Sequence, residues 1–129
     1  MFLLLVLGGP AFAQSADVPT AWRLLDYIAV DYGGAVNAGR VTNAAEYAEM
    51  TEFAASVAER LQSLPPTAAR TSLLADGARL KALVAAKASS ADVAQLTRAM
   101  ASTLLKAYPI PLAPARAPDL TRGAALFKQ

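Results

Sequence analysis

The sequence contains no cysteine and no histidine among its 129 residues. Without cysteine no disulfide can form, so side-chain packing must stabilise the fold. The missing thiolates and imidazoles are the commonest protein ligands of zinc, copper and haem iron, and imidazole is the commonest general base. Carboxylates, carbonyls, hydroxyls and tyrosines remain for binding a metal ion. Because no carboxylate pair or Ser–Lys pair stands in a recognisable catalytic motif, we predict that the chain is not an enzyme.

Long apolar runs are also lacking. The apolar run near the amino terminus covers residues 2–7, whereas a membrane anchor needs about 20 apolar residues. It leads through a Gly-Gly-Pro step to an Ala-Phe-Ala triplet that ends at Ala13. This layout is typical of a secretory signal peptide, although no Lys or Arg precedes the run. We therefore predict a signal peptide over residues 1–13 and an exported chain.

No strand pattern is present, and apolar residues instead recur at steps of three and four, which predicts helices. The first helix is expected to begin near Pro19 and to end before Gly33 and Gly34, because Pro is favoured in a first turn and Gly just after a last turn. This helix is apolar on almost every side. We therefore expect it deep in the fold, with Arg23 and Asp26 paired.

Three amphipathic helices follow in the predicted order. Asn43 and Glu46 form an Asn variant of the capping box at the start of the second helix. The third helix is expected over residues 67–87, with Gly77 marking a close helix contact. A fourth helix completes a domain over residues 14–107. Because the connections between the helices are short, the sequence predicts an all-α fold, an antiparallel four-helix bundle. The predicted inward stripe of the second helix is Tyr47, Met50, Ala54, Val57, Leu61 and Leu64.

Beyond the bundle, proline recurs at almost every second or third position of residues 108–118, which predicts an extended linker. A further helix is expected over residues 119–129. Charge is also divided along the chain. Residues 14–59 contain seven acids and two bases, and residues 60–129 contain ten bases and three acids. We interpret this division as acidic and basic helices packed against each other, with electrostatic steering of partners or ions as the alternative. The bases are spread singly over several helices, which argues against nucleic acid binding.

Two stretches of the sequence resemble known proteins. Residues 119–129 resemble the opening helix of a class I c-type cytochrome, in which a Gly-x-x-Leu-Phe element comes shortly before a Cys-x-x-Cys-His haem attachment motif. The chain ends before such a motif. Residues 25–50 contain the segments Leu-Asp-Tyr-Ile-Ala-Val-Asp-Tyr and Glu-Tyr-Ala-Glu-Met, and residues 108–114 read Tyr-Pro-Ile-Pro-Leu-Ala-Pro. Together these segments resemble the N-terminal region of bacterial cytochrome-c-fused high-affinity iron (iron/lead) permeases, apart from Gly33 where such proteins are expected to have Pro.

The resemblance implies a truncated N-terminal piece of such a permease, located in the periplasm and belonging to an inner-membrane parent that takes part in iron uptake and electron transfer. Haem c is expected downstream in the parent, and no cofactor is expected in this segment. The expected partners are the downstream cytochrome c domain and the membrane permease of the same protein, with iron ions as a further candidate. The segment itself is expected to have a structural or docking role, or to capture metal weakly. The alternative is a self-standing periplasmic helical protein-interaction module.

Four acidic side chains are the candidate metal ligands: Asp26, Asp31, Glu46 and Glu49. Carboxylate and phenolate oxygens suit ferric iron. The neighbouring tyrosines are Tyr27, Tyr32 and Tyr47. Asp26 and Asp31 are about 140° apart around a helix, so they cannot bind one ion from one helical face. Glu46 and Glu49 can converge, but capping and solvation explain them equally well. The tyrosines are better explained as core rings with hydroxyls at the rim.

Overall fold

The computed structural model describes residues 8–109, with side chains described from residue 16 onward. Four helices and one short hairpin make up this part of the chain, and the predicted four-helix bundle is confirmed. The predicted linker from residue 110 onward, the predicted helix over residues 119–129 and residues 1–7 of the predicted signal peptide lie outside the described residues. The elements in chain order are α1 (Gly8–Ala35), β1 (Val36–Asn37), β2 (Arg40–Val41), α2 (Ala44–Gln62), α3 (Arg70–Ala85) and α4 (Ser90–Ala107).

Helix α1 is longer at both ends than the sequence predicts. Pro19 lies inside it, and the helix continues through Gly33 and Gly34 to Ala35. The prediction that the two glycines end the helix is therefore wrong. A Cβ at Gly34 would lie 3.0 Å from Oε1 of Glu46, and a Cβ at Gly33 would lie 3.6 Å from Cβ of the α4 residue Ser90. Gly34 thus lies in close contact with α2, whereas a Cβ at Gly33 would make an ordinary van der Waals contact with α4.

A two-residue hairpin joins α1 to α2, which corrects the prediction of no strands. Its strands are antiparallel, and Val36 pairs with Val41. Both residues of the turn have positive φ, 52° at Ala38 and 76° at Gly39, as the twist of a tight hairpin requires. Strands of two residues are too short to show an alternating pattern in the sequence.

Each helix of the bundle buries one face. Helix α1 packs against α2 and α4, and α3 packs against α2 and α4. The expected deep burial of α1 is wrong, because a helix with two neighbours covers only its inner side. Leu25 and Ile28 are buried, whereas Tyr27 is 51% exposed and Val30 is 64% exposed. The core comprises Val18, Ala21, Leu25, Ile28, Tyr32, Ala35, Val36, Met50, Ala54, Val57, Leu61, Leu64, Leu73, Leu80, Val84, Val93, Leu96, Met100, Leu104 and Tyr108.

Several local predictions for α2 and α3 are confirmed. Of the predicted capping box, the N-cap half is confirmed, because the Asn43 side chain accepts a hydrogen bond from the backbone N–H of Glu46 at 3.0 Å. The predicted stripe of α2 faces the core, with Tyr47 half-buried at its upper end. Gly77 is buried, and a Cβ at this position would lie 3.4 Å from Cα of Ala58. Gly77 therefore marks a close contact between α3 and α2.

The end of α4 is fixed by a tyrosine that the sequence places at the start of the linker. Tyr108 is 8% exposed. Its hydroxyl donates a hydrogen bond to the carbonyl of Pro65 at 2.5 Å and accepts one from Thr67 at 3.1 Å. These bonds attach the carboxyl end of α4 to the connection between α2 and α3. None of the helices along the described residues combines the length and the apolar composition needed to cross a membrane.

Candidate functional site

The interior of the bundle is apolar. Thr97 is the buried polar residue of the described core, and its hydroxyl donates to the carbonyl of Val93, one turn earlier in α4, at 2.9 Å. Ligand sites inside helical bundles are built from polar side chains that project inward from facing helices. In this bundle the inward positions carry apolar side chains. The charged groups that could contact an ion or a partner therefore lie on its surface.

This surface has an acidic side and a basic side. Residues 16–62, which include α2 and most of α1, contain seven acids and three bases, and residues 70–107, which form α3 and α4, contain six bases and two acids. Acidic α1 does pack against basic α4, and α2 against α3. However, the ion pair found among the described residues joins Arg60 to Asp17, between α2 and α1. The predicted pair of Arg23 with Asp26 is not formed. The charges therefore stay divided in the folded bundle.

Three contacts fix the antiparallel register of α1 and α2. Near the carboxyl end of α2, Nη1 of Arg60 lies 2.9 Å from Oδ1 of Asp17 in α1. Midway, the rings of Tyr27 and Phe53 stack with centroids 5.9 Å apart and planes at 30°. At the amino end of α2, Glu46 lies against Gly34 of α1. We call the exposed surface along which the two helices meet the α1–α2 groove.

This register brings three of the four predicted metal ligands to one part of the groove. Asp31 lies three residues before Gly34, and Glu49 lies three residues after Glu46, so the two residues are at the same level on neighbouring antiparallel helices. Asp31 and Glu49 are exposed, and Glu46 is half-buried. Asp26 is also exposed, and its helical angle places it away from Asp31.

The predicted ligands do not form a ready-made metal centre. Among the described residues, no group of three or more Asp and Glu side chains has metal-binding spacing. Exposed carboxylates on two neighbouring helices still produce a negative potential along the groove, which attracts cations without enclosing them. The assignment of Asp26, Asp31, Glu46 and Glu49 as metal ligands therefore stays a prediction.

Two of the predicted tyrosines have a structural role. The hydroxyl of Tyr32 donates to the carbonyl of Ala88 at 2.8 Å, and that of Tyr47 donates to the carbonyl of Val84 at 2.7 Å. Val84 lies in the last turn of α3, where its carbonyl also accepts a bond from the backbone N–H of Lys87, and Ala88 lies in the connection between α3 and α4. The two tyrosines therefore attach α1 and α2 to the end of α3 and the connection that follows it. Burial, and secondarily the neighbouring Tyr47, raise the pKa of Tyr32 above its ordinary value. The neutral hydroxyl is therefore favoured over the phenolate that would bind iron.

Tyr27 differs from these two tyrosines because it is exposed and stacks on Phe53. Next to it is Val30, which is not among the predicted site residues. Val30 and Tyr27 are the exposed large apolar side chains of the described bundle. A helical wheel could have found Val30, because it lies about 40° from Asp26 on the polar face of α1. We call Tyr27, Val30 and Phe53 the Tyr27 patch.

Comparison with known proteins identifies one family. No curated protein and no solved structure gives a significant match. Residues 12–111 match the family model of the iron permease-associated 4-helix bundle domain. This match covers the described bundle and agrees with its four helices. The chain therefore belongs to the iron permease-associated four-helix bundle family.

Proposed function

We propose that this chain is an exported, periplasmic docking domain of an iron uptake permease. Its partners would be the membrane permease and a cytochrome c domain of the same inner-membrane parent, with haem c in that domain and no cofactor or enzymatic activity in the bundle. The family match supports the link to an iron permease. Signal-like residues 1–13 and the cytochrome-like residues 119–129 support export and the cytochrome.

The division of the bundle into an acidic and a basic side carries the docking proposal. A bundle whose opposite sides differ in charge has a preferred orientation in the field of a charged partner, and complementary charges speed and orient association. The apolar interior stabilises the bundle without a ligand. Rigid presentation of two charged sides is a property suited to holding neighbouring domains in a fixed arrangement.

Docking is tested by measuring whether the chain binds the membrane permease part of the parent. The chain and the membrane permease part of the parent are produced separately and mixed in detergent, and their co-elution is measured at low and high salt. We expect co-elution at low salt that weakens as salt screens the charges. Substituting Lys for Glu49 and Glu52 should weaken it further than substituting Gln. Absence of co-elution at low salt would contradict the docking role.

Weak capture of iron is a second candidate function, favoured by the level positions of Asp31 and Glu49 across the α1–α2 groove. Carboxylate oxygens are hard ligands suited to iron. Here iron would be the transported substrate, gathered near the permease by an open acidic surface.

Calorimetric titration of the chain with ferrous and ferric iron tests this candidate. Binding with a stoichiometry near one, lost in the double variant Glu46→Gln with Glu49→Gln, supports capture in the groove. The matched control is Glu52→Gln with Glu59→Gln, which removes the same charge from α2 at other positions. Equal loss in both double variants, or binding that survives the first, would show that the groove is not an ion site.

A further inference from the structure

We propose that the Tyr27 patch is the contact surface for a basic protein partner that places an apolar side chain over Tyr27 and Val30. This inference rests on the proposed docking function and names the chemistry of the docked partner. It commits to a basic protein surface rather than to a metal ion or to a second copy of the chain.

The apolar part of the patch is exposed and already ordered. Tyr27 is 51% exposed and Val30 is 64% exposed, although both belong to a helix whose inner face is fully packed. The ring of Tyr27 is held by stacking on Phe53 at 5.9 Å, so little side-chain entropy remains to be lost when a partner binds. Rigid, partly exposed tyrosines with apolar neighbours are typical centres of protein interfaces.

Three acidic side chains and one basic side chain, that of Arg23 four residues before Tyr27, border this apolar centre. Each of its three members has an exposed carboxylate residue four positions away on the same helix face: Asp26 for Val30, Asp31 for Tyr27, and Glu49 for Phe53. Side chains four residues apart lie next to each other along a helix. The ion pair of the described bundle, Arg60 with Asp17, lies at the other end of the groove, so these three carboxylates remain available for a partner's bases.

The charges also decide between possible occupants. Two copies that meet through the same patch would bring like charges together, because seven acids and three bases lie on this side of each copy. A membrane surface rich in anionic lipid would be repelled in the same way. A basic protein surface has the opposite charge, and an apolar projection from it would cover Tyr27 and Val30. Such a combination of apolar centre and charged rim is the usual organisation of a protein interface.

The experiment uses the whole chain and a defined probe. The probe is a fluorescein-labelled lysine peptide with one central tryptophan, and its binding is followed by fluorescence anisotropy at several salt concentrations. Two control peptides separate the contributions. One replaces tryptophan by serine at the same charge, and the other replaces every lysine by glutamate. We expect the tryptophan–lysine peptide to bind more tightly than both, with affinity falling as salt rises.

Variants of the chain locate the bound peptide. Val30→Ser should weaken binding by about tenfold, whereas Ala78→Ser, an exposed substitution on α3, should leave it unchanged. Asp26→Asn with Asp31→Asn should weaken binding and flatten its salt dependence more than the equally charged control Glu52→Gln with Glu59→Gln. Circular dichroism checks that every variant is folded.

Four results would overturn the proposal. The serine peptide could bind as tightly as the tryptophan peptide, which would remove the apolar contact. Val30→Ser could leave affinity unchanged. The two double variants could weaken binding equally, which would assign it to the acidic side in general. Finally, sedimentation could show a dimer of the chain that Val30→Ser abolishes, which would make a second copy the occupant.

The proposed function is tested separately by co-elution with the membrane permease part. If the chain co-elutes with the permease and Val30→Ser has no effect on co-elution or on peptide affinity, docking uses another surface and only this inference fails. If the peptide binds the patch as expected and the permease does not co-elute, the patch stands and the docking role toward the permease fails.

Discussion

A small side chain at Gly77 should stabilise the bundle, and a large one should destabilise it. Gly77→Ala gains about 1 kcal/mol of helix propensity. Its Cβ would lie 3.3 Å from Cδ1 of Leu61, the flexible end of a side chain that can move by a few tenths of an ångström, and 3.4 Å from Cα of Ala58. We therefore expect a stability gain of up to about 1 kcal/mol. Gly77→Leu adds atoms that must displace α2 itself and should destabilise the bundle by about 1–3 kcal/mol.

Urea unfolding followed by far-ultraviolet circular dichroism measures both effects. The control is Ala78→Gly, which changes helix propensity at the next, exposed position of α3 and should destabilise by about 1 kcal/mol without altering any interhelical contact. If Gly77→Leu is as stable as Gly77→Ala, then α2 and α3 are not in close contact at Gly77, and the packing argument is wrong.

Three further predictions concern single contacts. Asn43→Ala removes the N-cap of α2 and should lower the free energy of unfolding by about 1 kcal/mol in urea titrations. Asn43→Asp should retain most of the stability that the cap contributes. Tyr108→Phe removes the hydrogen bond to the carbonyl of Pro65 and should lower the free energy of unfolding by about 1–3 kcal/mol, because that carbonyl then lacks a donor. Thermal unfolding measures the loss, and the control is Tyr27→Phe, since the hydroxyl of Tyr27 is not in the core. Because the pKa of Tyr32 is raised above 10.0 in the folded state, the folded chain holds this proton more tightly than the unfolded chain. Its contribution is present below about pH 10 and is lost above it, so Tyr32→Phe should show a smaller fall in stability in alkaline unfolding titrations.

The sequence predicted the helices well because the helical signal is local. Apolar side chains at steps of three and four identified the inward face of α2, and Asn43 located its first turn. The prediction that Gly33 and Gly34 end the first helix was wrong, because glycine is found both at helix ends and within helices at close contacts. Only the tertiary contact of Gly34 with Glu46 shows that this glycine lies within a helix against a close neighbour.

The candidate site was predictable in composition but not in arrangement. Asp26, Asp31, Glu46 and Glu49 were candidate oxygen ligands by residue type, and the level positions of Asp31 and Glu49 depend on the register of α1 against α2. Asp26 was correctly separated from Asp31 by helical angle alone. Val30 was missed because α1 was expected to be buried on all sides, although its helical angle beside Asp26 indicates the exposed face that the structure shows.

The sequence by itself determined that this protein is helical, that its bundle has no thiol or imidazole chemistry, and that its acids precede its bases along the chain. These properties depend on residue type and on spacing within one helix. The tertiary structure decided that the acidic helices are neighbours, that Tyr27 stacks on Phe53 and that Val30 faces outward. Those properties depend on which helix faces meet. Burial of apolar surface favours many such arrangements almost equally, and close packing of specific side chains selects one of them.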